Sequence, residues 1–161
     1  MAIIIGVDPG SRITGDGIVK LHKGEAQHIT HGYIQTHSAS LADKLHEIFD
    51  ALLKVIHQYA PTQAAIEQVF TFYNHQSALK LGQARGAALT ALASAGLEVG
   101  EYSAKQVKQA VVGYGGANKG QVQHMIRALL KLQQTPQPDA ADALAIAICH
   151  CNSQWLKHKL L

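Results

Sequence analysis

At 161 residues and without a break in composition, the chain has the size of one domain. Hydrophobic residues make up 47% and charged residues 16%, which supplies a core and excludes a disordered chain. The net charge of +3 leans only mildly toward polyanions, and no apolar run reaches the roughly 18 residues of a membrane helix.

Ala2 to Val7 is a continuous apolar run ending at Asp8, the pattern of a central buried strand, and it lacks the charged flank of a secretory leader. The turn Asp8-Pro9-Gly10-Ser11 follows, then strands over Thr14–Lys20 and Gln27–Thr36 around Lys23-Gly24-Glu25. The period then changes. Leu41, Leu45, Ile48, Leu52, Val55, Ile56 and Tyr59 recur at three and four, which predicts a helix over Leu41–Tyr59, capped by Ser38 or Ser40 and followed by Pro61. Gln63–Val69 reads as a strand, Ser77–Ala95 as an Ala- and Leu-rich helix closed by Gly96, and Leu97–Tyr102 as a fifth strand. Ser103 and Gln106 have capping-box spacing at the start of the next helix. After the glycine-rich loop Gly113–Gly120, two helices are expected, over about Gln121–Leu132 and Asp139–Trp155. The order predicts an α/β domain with a mixed five-stranded sheet flanked by helices, residues 1–161 forming one unit whose last few residues are a loose tail. A right-handed crossover would make the strands ending in Asp8 and Glu67 parallel neighbours, and ligands gather at such strand ends.

Four acids are out of place in apolar elements: Asp8 and Glu67 at strand ends, Asp139 and Asp142 on a helix that is otherwise apolar nearly all round. Singly, Asp8 could serve a turn, Glu67 could pair with a lysine, and Asp139 could cap its helix. Asp142 has no basic residue near it in sequence, and its i, i+3 spacing places it on the face of Asp139. As one cluster, the four carboxylates would repel by roughly 3 kcal/mol per close pair unless cations lay between them. Oxygen ligands select Mg²⁺ or Mn²⁺, and two such ions are the apparatus of phosphodiester hydrolysis, one activating water and the other stabilising the leaving oxygen.

The segments Gly6–Arg12, Ile66–Phe70, Ser77–Gly86, Gln106–Gln109 and Asp139–Ala145 resemble, in order and spacing, the bacterial RuvC family of crossover junction endodeoxyribonucleases. The resemblance runs from residue 2 to about residue 152. It implies an RNase H-like fold, a homodimer, Mg²⁺ dependence with two ions per site, and paired symmetric nicks in a four-way DNA junction during recombination and repair. It also implies cooperation with a branch-migration motor complex. Asp8, Glu67, Asp139 and Asp142 match the family's metal-binding acids. Lys108 and Lys119 match positions that contact the junction near the active site, and Phe70 matches one at the junction centre, where an exposed aromatic can stack on unpaired bases. Lys105 lies three residues before Lys108 and is either a further DNA contact or a solvated surface lysine.

Two positions depart from the family pattern. Tyr73 stands where a basic residue is usual, and Asp16 lies between Gly15 and Gly17 where an apolar residue is usual. Alternation puts Thr14, Asp16 and Ile18 on one face, so Asp16 is expected at a solvated edge, the alternative being a fifth acid near the metals. Cys149 and Cys151 are the only cysteines, too close for a disulfide framework, which points to a reducing cytoplasm. Cys149-His150-Cys151 matches no closed zinc pattern and reads as helix packing. Sugar-kinase and actin-like ATPases share the strand, Asp and glycine turn, but their second phosphate loop is missing here. A binding module without catalysis would have lost one or more of the acids, and all four are present.

Overall fold

The computed structural model describes residues 2–69 and 74–161. Strands β1 (Ala2–Asp8), β2 (Ile13–His22), β3 (Glu25–Gln35), β4 (Gln63–Glu67) and β5 (Val99–Tyr102) form one sheet in the order β3-β2-β1-β4-β5. The first three are an antiparallel meander, whereas β1, β4 and β5 run parallel. The strands ending in Asp8 and Glu67 are neighbours, and the mixed five-stranded sheet is as expected.

Two apolar clusters lie on the two faces of the sheet. Helices α1 (Leu41–Tyr59) and α2 (His75–Ser94) share one cluster with Ile5, Val7 and Ile18. Helices α3 (Ala104–Val112), α4 (Lys119–Leu129) and α5 (Pro138–Lys159) share the other with Ile4, Val19 and Ala65. The side chains of β1 therefore alternate, with Ile5 and Val7 toward α1 and α2, and Ile4, Gly6 and Asp8 toward α5. α5 lies directly on the strands because they lack bulk there. A Cβ on Gly6 would fall on the Ala143 carbonyl, and one on Gly15 would fall on the Asp139 carbonyl.

Local chemistry sets the helix ends. Ser40 accepts from the Asp43 amide at 3.1 Å and starts α1, which ends at Ala60 in the left-handed region, before Pro61. Asn74 caps α2, which starts two residues before Ser77, the start expected from the apolar pattern. The Ser103–Gln106 capping box is formed, and a second, Asn118–Gln121, moves the start of α4 back to Lys119. β4 stops at Glu67, and α5 continues past Trp155 to Lys159, so only Leu160 and Leu161 lie beyond it.

Asp16 corrects the sequence reading. It pairs with Val7 on one side and Gly32 on the other, so it faces the α1 and α2 layer, away from Asp8. It is 4% exposed, neither at a solvated edge nor beside the other acids. Helix α1 covers this face, which strand alternation alone does not reveal. Burial pushes its carboxyl up to about 6 from 3.8. The penalty for ionising it is absent below the unfolded value, grows as pH rises from about 4 to about 6, and is complete above that. Asp16→Asn is therefore expected to stabilise the protein by up to about 3 kcal/mol at neutral pH and hardly at all near pH 4. Urea midpoints at the two pH values test this, and an equal gain at both would contradict it.

Candidate active site

Asp8, at the end of β1, projects toward the first turns of α5. Asp139 and Asp142 lie one helical turn apart on that helix, and one carboxylate oxygen from each of the three falls within 4.8 Å of the others. Pro138 at the first helical position pre-sets the entry of α5. Gln137, not Asp139, caps it, accepting from the Ala140 amide at 3.0 Å. The Gln137 amide also donates to Asp139 Oδ2 at 2.7 Å, which fixes that carboxylate. Glu67, one strand over, lies outside the 4.8 Å group but lines the same cleft of about 270 Å³ with Asp8, Asp142, Lys108 and Lys119.

The charges in this cleft are strongly coupled. Burial, then the charges of Asp142, Asp139 and Glu67, push the Asp8 carboxyl up to about 8, against the opposing pull of Lys119. Burial also raises Glu67, with Asp142 adding to the shift and Lys108 opposing it. Asp142 is raised by burial despite Lys119, whose Nζ stands 3.5 Å from its Oδ2. Three carboxyls with raised values in one cleft lack positive charge. The cleft residues supply oxygen donors and no thiol or imidazole, so they fit a hard divalent cation such as Mg²⁺ or Mn²⁺ rather than Zn²⁺.

The cationic candidates separate. Lys108, on α3, lines the cleft and acts on Glu67, and Lys119, the first residue of α4, reaches Asp142. Lys105 is not among the cleft residues. It is exposed, with its aliphatic stem along Gly115. Phe70 and Tyr73 lie outside the described residues.

Contacts that the sequence reading missed tie α5 and α2 to the sheet. Cys149 and Cys151 are buried as helix packing, and burial pushes their thiols up to about 11 and about 12, where they are poor ligands. His150 between them does more. Its Nε2 is 2.7 Å from Gln63 Oε1 and its Nδ1 2.8 Å from the Tyr102 hydroxyl. Burial lowers it to about 4, so the neutral ring donates to Gln63 and accepts from Tyr102, tying α5 to β4 and β5. Arg85 pairs with Glu101 and donates to the Glu67 carbonyl at 3.4 Å, steadying the end of β4. The sequence signal for these braces is small, because each joins residues far apart in the chain.

Comparison with known proteins agrees with this geometry. The family model described as crossover junction endodeoxyribonuclease RuvC matches residues 4–150. A crossover junction endodeoxyribonuclease RuvC from Coxiella burnetii is 59% identical over 159 residues, covering 99% of this chain and 92% of that protein. Another, from Shewanella amazonensis, is 58% identical over 150 residues, covering 93% and 87%. Among solved structures, RuvC of T. thermophilus in complex with a Holliday junction substrate superposes with a TM-score of 0.90 at 34% identity, covering 98% of this chain and 97% of that one. A yeast mitochondrial Holliday junction resolvase shares the fold, with a TM-score of 0.65 at 13% identity over 96% and 82%.

Proposed function

This chain belongs to the RuvC family of crossover junction endodeoxyribonucleases, and from that premise we propose that it resolves four-way DNA junctions by paired symmetric nicks. The observation that carries the reading is the convergence of Asp8, Asp139 and Asp142 within 4.8 Å, beside a cleft that Asp8 and Asp142 line together with Glu67 and two lysines. Asp8, Asp139 and Asp142 would hold a divalent cation, and Glu67 with Asp8 would complete a second site across the cleft. When bound, Mg²⁺, or Mn²⁺ in its place, supplies an activated water and charge compensation at the scissile phosphate. Lys119 and Lys108 would bring positive charge to that phosphate, and Arg85, donating to the Glu67 carbonyl, steadies the end of β4.

A homodimer fits a substrate that presents two equivalent strands, because a two-fold enzyme then cuts both alike. The surface for it is α2, where Gly82 and Gly86 have open space above them. Small residues there allow close helix approach. A branch-migration motor is the further partner that family membership suggests, and the buried, free cysteines suit a reducing cytoplasm. No described helix is long and apolar enough to cross a membrane.

The test is incubation with an end-labelled four-way junction, with Mg²⁺ or with a chelator. Symmetric nicks are expected with Mg²⁺ only. Cleavage in chelator, or nucleotide turnover without cleavage, would overturn the reading.

A further inference from the structure

Three cations converge on the face of the sheet opposite the acids. A groove of about 550 Å³ runs between the β1–β2 turn, the start of α1 and the start of α2. Arg12, Lys44 and Lys80 line it together with Ser11, Gln76, Gln83 and five apolar residues of the turn before α1 and of α1 and α2, and no acid is among its lining residues. None of the three cations has a carboxylate partner within 4.0 Å among the described residues, whereas Lys54, Arg85 and Lys119 each have one. In a chain of net charge only +3, this is a local concentration of positive charge. Its place in the fold matters as well. Arg12 follows Asp8 by four residues, which can span at most about 14 Å, roughly four base-pair rises of duplex DNA. The groove therefore begins within that distance of the acid at the end of β1.

We propose that Arg12, Lys44 and Lys80 form a second phosphodiester-backbone site, which grips the duplex arm flanking the strand held at the acids. The proposal rests on the reading of the chain as a junction nuclease. Three cations with neutral hydrogen-bonding groups suit phosphate oxygens, so the groove adds affinity and orientation. It also explains how so weakly charged a chain holds a polyanion, since charge is placed on both sides of the sheet edge where the acids stand.

The experiment is fluorescence anisotropy of a labelled four-way junction in chelator, across about 50 to 200 mM salt. It compares the unaltered protein, the triple variant Arg12→Gln, Lys44→Gln, Lys80→Gln, and Lys54→Gln as a control outside the groove. Removing one cation from a phosphate should make the slope of log affinity against log salt about 0.9 units shallower. The triple variant is expected to bind more weakly, with a slope shallower by about two to three units, while Lys54→Gln keeps the slope of the unaltered chain. An unchanged slope in the triple variant overturns the proposal. A loss of dimer by light scattering in the triple variant overturns it too, since the groove would then be a subunit contact. Steep, groove-dependent binding by an unaltered protein that makes no nicks in Mg²⁺ would leave the groove standing and defeat the nuclease reading instead.

Discussion

Asp8→Asn is expected to abolish cleavage of a four-way junction while the junction still binds. Asp8 is the acid on which the three other acids all act: burial, then Asp142, Asp139 and Glu67, push its carboxyl up to about 8 against the pull of Lys119. An amide in its place removes one anionic oxygen ligand from a group of three that fall within 4.8 Å. The loss of rate should exceed the roughly 10²–10³-fold that a single oxyanion contact is worth, because the water-activating apparatus goes with it. Binding should hold or tighten, since a negative charge has left the vicinity of a phosphate. Thermal stability supplies a second readout. Without metal, the variant should melt higher than the parent by a margin that grows as pH rises from about 4 to about 8 and is complete above that, because Asp8 is raised on folding. Divalent ions, which raise the melting point of the parent by binding only its folded form, should raise that of the variant less. Glu67→Gln, Asp139→Asn and Asp142→Asn are expected to lose cleavage in the same way. A folded variant that loses binding together with cleavage would contradict the division of labour between acids and lysines.

How much of this the sequence disclosed depends on the range of each signal. The Asp139–Asp142 pair was legible because helical spacing is local and the rest of α5 is apolar. The bounds of α1 were legible for the same reason, since Ser40 and Pro61 act over a few residues. α2 opens with polar residues, so its apolar period begins late, and its true start depends on the Asn74 cap. Asp16 was misplaced because alternation tells which residues share a face and not which face a helix will cover. The meeting of α5 with β1 and β2 turns on missing Cβ atoms at Gly6 and Gly15, a signal that was present in the sequence but has meaning only once the partner helix is known. Lys105 and Lys108 share a spacing of three on one helix, and the sequence left Lys105 as either a DNA contact or a solvated surface lysine. The glycine loop separates them, taking the stem of Lys105 under Gly115 and leaving Lys108 in the cleft. His150 needed residues 87 positions away to acquire a role.

Lys119→Ala is expected to slow cleavage by about 10²–10³-fold at saturating enzyme, a loss of roughly 2.7–4 kcal/mol of transition-state stabilisation. The side chain stands at the first position of α4, is 62% exposed, and touches Asp142 at 3.5 Å, so it is free to follow a phosphate entering the cleft. Two effects are combined in that residue. It can meet charge developing on the scissile phosphate, and it lowers the carboxyls of Asp8 and Asp142, keeping them ready for a cation. pH separates the two. A deficit that arises only because Asp8 and Asp142 bind protons more tightly should close as pH rises through and beyond about 8, and as the Mg²⁺ concentration is increased. A deficit that arises because no ammonium meets the phosphate should persist under both conditions. Single-turnover rates at saturating enzyme, from about pH 7 to about 9.5 and over a range of Mg²⁺, are expected to show a residual deficit of at least about 10²-fold. The salt slope of binding bears on the same point, since an ordinary phosphate-binding lysine would make it shallower by about one unit when removed. A full saturated rate combined with that shallower slope would make Lys119 a residue that positions the junction and takes no part in the chemistry.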